Sequence, residues 1–126
     1  MNVQAAREQA LEIAERIDNL GPVGVVRFFS GAGLVAQGIM FGFVIRGSLY
    51  LRVDDTSRAA FEAADAAPFS YTVRSKIVTL AAYYEAPVDI FEDSDELARW
   101  AAEALRAAAA VPRRAAKRKS SAKHAG

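Results

Sequence analysis

Five features of this 126-residue chain have the residue types or spacing for chemistry. His124 is the single imidazole, and only Ala125 and Gly126 follow it. General base catalysis needs a group held in position, so a catalytic role for His124 is disfavoured. Gly31-x-Gly33-x-x-x-x-Gly38 invites a phosphate-loop reading. The dinucleotide fingerprint, however, requires G-x-G-x-x-G between a strand and a helix, with a third glycine where this chain has Ala36. No Gly-Lys-Ser/Thr occurs, and a strand pattern follows. These glycines read better as a bend between strand segments. Asp54 and Asp55 are adjacent carboxylates, too few ligands for a hard cation. With Asp93, Asp95 and Glu96 they cluster where helices should start, and there they favour the positive end of the helix dipole. We therefore assign no catalytic residue, no metal site and no cofactor.

Two constellations suit binding. Tyr50 and Arg52 alternate onto one strand face, and Tyr71, Arg74 and Lys76 can approach them across a neighbouring hairpin. Aromatics beside cations can stack single-stranded nucleic acid. The competing readings are the polar face of a sheet, or an interface between chains, where Tyr and Arg are enriched. The second constellation is the run Arg113, Arg114, Lys117, Arg118, Lys119 and Lys123, which contains no acid. A basic arm of this kind can hold nucleic acid non-specifically by counterion release. It has no interleaved aromatics for reading sequence, and the alternative is a solubilising tail.

The tail disguises the charge of the rest. The chain is +1 overall, but six of its 16 basic residues lie in 113–126. Residues 1–112 keep ten basic and 15 acidic residues, a net charge of −5. The composition, 52% hydrophobic and 25% charged, is that of a globular domain and excludes a chain disordered throughout. The absence of cysteine excludes a disulfide scaffold, a Cys-ligated metal and a thiol nucleophile. The opening Met1-Asn2-Val3-Gln4 runs into Arg7, Glu8 and Glu12, unlike a signal peptide. The apolar stretch 34–45 is shorter than the ~20 residues that span a bilayer. We expect a cytoplasmic protein without a membrane segment.

The positioning elements can be read from periodicity. Ala6, Ala10, Ile13, Ile17 and Leu20 make one face of a helix over 3–20, stopped by Gly21-Pro22. Val23–Phe29 reads as a strand bending at Ser30–Gly33, with Leu34–Ala36 as its continuation or as a short strand of its own. Gln37-Gly38 turns into Ile39–Arg46, and Gly47-Ser48 signals a two-residue hairpin into Leu49–Val53. Asp54–Ser57 caps a short helix over 56–65. Phe69–Val73 and Ile77–Tyr84 form a second hairpin across Arg74-Ser75-Lys76. Asp93, with Glu96 three residues on, opens a last helix that Pro112 ends. The order predicts an α+β fold with a five-stranded, mostly antiparallel sheet and helices on one face. We expect one domain over 1–112 and a disordered basic tail over 113–126.

Several blocks, in order, resemble the N-terminal domain of the TfoX/Sxy family, the bacterial competence regulators. They are Phe29-Ser30-Gly31-Ala32-Gly33-Leu34, Gly38-Ile39-Met40-Phe41-Gly42-Phe43-Val44, Leu49-Tyr50-Leu51-Arg52-Val53-Asp54, Pro68-Phe69-Ser70-Tyr71 and Tyr83-Tyr84-Glu85-Ala86-Pro87. Departures are Ser30 for the family's first glycine, Ser75 before Lys76 where Gly-Lys is usual, and Leu80-Ala81 for Met-Ser. The resemblance implies a two-layer α-β-β-β-α-β-β-α fold like that of secretion chaperones, and a homodimer. Its expected form is a stand-alone N-terminal domain without the family's C-terminal domain. It implies a non-enzymatic regulatory domain, a transcription coactivator acting through a protein partner such as a transcription factor. The alternative from the residues alone is a small nucleic-acid-associated protein anchored by its tail.

Overall fold

A computed structural model describes residues 3–110. The basic residues 113–123 and His124 lie outside the described residues. The elements are α1 (Val3–Arg16), β1 (Val23–Phe28), β2 (Gly31–Ala36), β3 (Ile39–Ile45), β4 (Ser48–Arg52), α2 (Arg58–Ala63), β5 (Pro68–Val73), β6 (Lys76–Glu85), a 3-10 turn (Val88–Glu92) and α3 (Ser94–Ala109). The six strands form one antiparallel sheet in the order β1-β2-β3-β4-β6-β5. The α+β class is as expected, but the sheet has six strands rather than five. Segment 23–36 does not bend. It reverses in a tight hairpin at Phe29-Ser30, with Phe28 opposite Gly31.

Four hairpins close on two residues each, and backbone handedness explains how. Gln37-Gly38, Arg46-Gly47 and Arg74-Ser75 all have positive φ at both positions. That matches the type I′ turn, whose twist suits paired strands. The β3–β4 turn is thus Arg46-Gly47, one residue before the expected Gly47-Ser48, because Ile45 pairs with Ser48. Phe29 carries the positive φ of the first hairpin at 52°. A bulky residue there departs from the usual sterics of L-residues.

The helices cover one face of the sheet. Leu34, Phe41, Val44, Leu49 and Leu51 meet Ala10 and Ile13 of α1 and Leu97 and Ala101 of α3 in the main core. β3 contributes residues 41 and 44 to the same side, three apart. An irregularity against Leu34/Val35 pairs Leu34 with Gly42 and Val35 with Met40, so Phe41 is the extra residue that shifts the alternation. Helix α1 ends at Arg16, short of the expected position 20, although Ile17 and Leu20 remain buried. The Arg16 guanidinium donates to the Phe91 carbonyl at 2.7 Å and to Ser94 Oγ at 3.2 Å, tying this end to the start of α3.

The caps follow the expected residues with different bonds. Asp93 is the N-cap of α3 and accepts from the Asp95 amide at 2.9 Å. Glu96 does not close a capping box; it accepts from Arg99 and, at 3.2 Å, from Trp100 Nε1. Before α2, Asp54 and Ser57 exchange bonds. Asp54 Oδ1 accepts from the Ser57 amide at 2.9 Å, and Ser57 Oγ accepts from the Asp54 amide at 3.0 Å. No helix among the described residues is long and apolar enough to cross a membrane.

Candidate interaction surface

The face of the sheet away from the helices is not the polar face considered from sequence. Phe43, Ile45 and Phe69 are buried there, with Phe28, Met40, Tyr50, Tyr71, Leu80 and Tyr83 packed around them. This second core exists because the sheet curls. Phe69 on β5 lies 5.1 Å from Phe43 on β3, ring centre to ring centre, although three strand steps separate them. Strands about 4.8 Å apart would place them roughly 14 Å apart on a flat sheet.

The bend has a local origin. Pro68 pairs with Tyr84, but the next β5 residue, Phe69, pairs with Leu80, leaving Ala81, Ala82 and Tyr83 without β5 partners. Such an irregularity bends the strand that carries the extra residues. Residues 76–80 of β6 therefore pair with β5, and 83–85 pair with β4. The β5–β6 hairpin folds over the sheet face, and the rings seal the contact. Tyr50 stacks on Phe43 at 5.3 Å and meets Phe69 edge-on at 4.9 Å. Edge-on pairs of this kind add roughly 0.5–1.5 kcal/mol beyond area burial. Burial, then the nearby Glu85 carboxylate, pushes the Tyr50 phenol above its ordinary value.

Between the β1–β2 tip and β5 the fold leaves a groove of about 330 Å³. Phe29, Ile45, Phe69, Tyr71 and Val73 line it with Ser30 and Arg46, and no acid lines it. Phe29 is 59% exposed and Val73 46% exposed, so the groove presents apolar side chains to solvent. Glycine permits the close strand contacts beneath. A Cβ on Gly31 would lie 1.9 Å from the Val44 carbonyl oxygen. This packing role accounts for Gly31 without a phosphate, and Gly38 serves its turn at φ 76°.

The sequence candidates separate in the fold. Tyr50 and Tyr71 come together through Phe69, with Tyr71 5.8 Å from that ring. Arg52 packs over Tyr83 at 5.5 Å, and its Nε is buried with no hydrogen-bond partner. Arg74 stands in the β5–β6 hairpin turn, and Lys76 is the register partner of Val73. Phe29, Ile45, Arg46, Phe69 and Val73 escaped the sequence reading as site residues. The alternation Phe69, Tyr71, Val73 marked one face of β5, but nothing in it showed that β5 approaches β1.

A second cleft, of about 300 Å³, lies between α2 and α3 beside Phe61, Trp100, Arg99 and Glu103. Its charged groups and the Trp100 indole are engaged. Arg99 and Trp100 both donate to Glu96, and Glu103 accepts from Arg106. Asp54 also forms an ion pair with Arg106 at 3.0 Å, and Asp55 pairs with Arg58. Among the described residues no group of three or more His, Cys, Asp or Glu comes together to hold a metal.

These features define a class: an α+β domain whose curled sheet buries a second, aromatic core and keeps an apolar groove at its rim. The chain belongs to the TfoX N-terminal domain family, whose family model matches residues 15–108. A search of curated proteins found no match.

Proposed function

We propose that this chain is a regulatory domain of the TfoX type that acts without chemistry, by holding a protein partner such as a transcription factor at the groove of its sheet. Family membership supports the regulatory part. The observation that carries the partner is the pair Phe29 and Val73, both exposed and both lining an apolar groove of the sheet. Exposed apolar patches rimmed by polar residues mark interaction sites. The test is photo-crosslinking in the native cell with benzoylphenylalanine in place of Val73. An adduct with one protein is expected, absent when the photoprobe replaces Leu11 on α1. No adduct at position 73 would overturn the reading. In parallel, a strain carrying Val73→Asp should reproduce the transcript changes of a strain lacking the protein.

The six cations of residues 113–123 favour a second, compatible reading in which the tail adds non-specific DNA affinity. Anisotropy of a random duplex should then rise with the full chain, not with residues 1–111, and the signal should vanish with added salt.

A further inference from the structure

The charges of this molecule are sorted by layer. The strands and hairpin turns carry Arg27, Arg46, Arg52, Arg74 and Lys76 against one acid, Glu85. The other 14 acids sit on the helices and their connections. Glu85 is occupied by Ser48, which donates to it at 2.9 Å. The ion pairs among described residues are Arg58–Asp55, Arg99–Glu96, Arg106–Asp54 and Arg106–Glu103, all in the helical layer. The sheet's five cations take part in none of them. Two flank the groove: Arg46 lines it, and Lys76 is paired opposite Val73.

We propose that the groove docks a segment of a partner protein that inserts an apolar side chain between Phe29 and Val73 and sets acidic residues against Arg46 and Lys76. This deepens the partner reading above and rests on it. Three observations select that occupant. The volume of about 330 Å³ is at the small end of ligand clefts, which run from roughly 300 to 1,000 Å³, and suits an anchoring side chain. A second copy meeting through the same patch in a two-fold pair would set like charges against each other, which is unfavourable. Nucleic acid needs exposed ring faces, yet Phe43, Tyr50, Phe69 and Tyr71 spend theirs on one another. Phe29 is the one aromatic among the exposed large apolar residues described.

The experiment uses the full chain and fluorescein-labelled probes read by anisotropy. One peptide interleaves Asp with Leu and Phe. A second replaces each Asp by Lys, and a third replaces each Leu and Phe by Ser. A single-stranded oligothymidine is the fourth probe. The acidic apolar peptide should bind at least about tenfold more tightly than the other two peptides, a difference of ~1.4 kcal/mol. Val73→Asp should weaken it about tenfold, as loss of an interface anchor does. Arg46→Glu with Lys76→Glu should weaken it similarly and flatten its salt dependence, because these charges act from the rim. Leu11→Asp should leave it unchanged. Equal binding of the Asp and Lys peptides would overturn the acidic assignment, while a crosslink at position 73 would still support a partner there. Binding that survives Val73→Asp, or no peptide binding, would overturn the groove as the docking site. Oligothymidine binding lost with Val73→Asp would make nucleic acid the occupant. A dimer in sedimentation that Val73→Asp dissociates would make it a second copy.

Discussion

The ring of Phe29, at the tip of β1, lies 5.9 Å from the ring of Tyr71 on β5, although β1 and β5 are the two outer strands of the sheet. Five strand steps of about 4.8 Å would separate them by roughly 24 Å on a flat sheet. The two edges therefore converge, and the groove is the gap they leave. Phe69 holds the convergence from beneath, packed on Phe43 and Tyr50.

Phe69→Ala should be among the costliest single substitutions. The side chain is 2% exposed, and truncating a buried Phe costs about 3–5 kcal/mol. Phe29→Ala, at an exposed and left-handed position, should change stability by less than about 1 kcal/mol. Urea denaturation of both variants checks this. A Phe69→Ala cost below that of Phe29→Ala would mean that the hairpin does not fold over the sheet.

Gly31→Ala and Gly24→Ala test close approach without any ligand. A Cβ at position 31 meets the Val44 carbonyl oxygen at 1.9 Å, while one at position 24 meets nothing within 4 Å. The first should lower stability by more than about 2 kcal/mol, and the second should stay within about 0.5 kcal/mol of the parent. Thermal melts decide it, and similar Tm values for the two variants would contradict the strand contact.

Ser75→Gly should stabilise the chain. Ser75 holds φ at 68° in the β5–β6 turn, a region that costs an L-residue about 1–2 kcal/mol and glycine nothing. Tm should rise by a few degrees, since about 1 kcal/mol moves a domain of this size by roughly 4 °C. A fall in Tm would show that the hydroxyl has a role beyond the turn.

Acid should weaken the fold in part through Asp54. The amide of Ser57, and then the Arg106 guanidinium, hold its carboxyl below the ordinary value of 3.8. A carboxylate depressed in the folded state contributes stability that is complete above the unfolded value. That contribution is lost as pH falls through the folded value. Urea midpoints at pH 7 and pH 3 should differ less in Asp54→Asn than in the parent. An unchanged difference would remove Asp54 from the acid response.

Much of the fold was legible because local rules acted alone. The helical periodicity of Leu97, Trp100, Ala101, Ala104 and Leu105 marked α3, and Asp93 capped it as its position required. Alternation placed Leu49 and Leu51 against the helices and Tyr50 and Arg52 away from them. The β1–β2 hairpin was hidden because Phe29-Ser30 is no turn signal: an aromatic at positive φ is held there by the pairing around it, not by propensity. The 3-10 turn at Val88–Glu92 likewise left no periodic mark.

The sequence by itself determined which residues share a face on the regular strands such as β4, the order of the helices, and that a run of basic residues accompanies an acidic remainder. Only the tertiary structure decided what covers the second face. Period-two alternation states that Phe43, Phe69 and Tyr71 point one way on their own strands, but carries no information about curvature. Curvature came from unmatched residues in two ladders, Phe41 against β2 and Ala81–Tyr83 against β5, and these depend on which strands pair. Pairing between β4 and β6 joins residues more than 30 positions apart, so no local pattern encodes it. The groove, lined by Phe29 and Val73, is a consequence of that long-range choice.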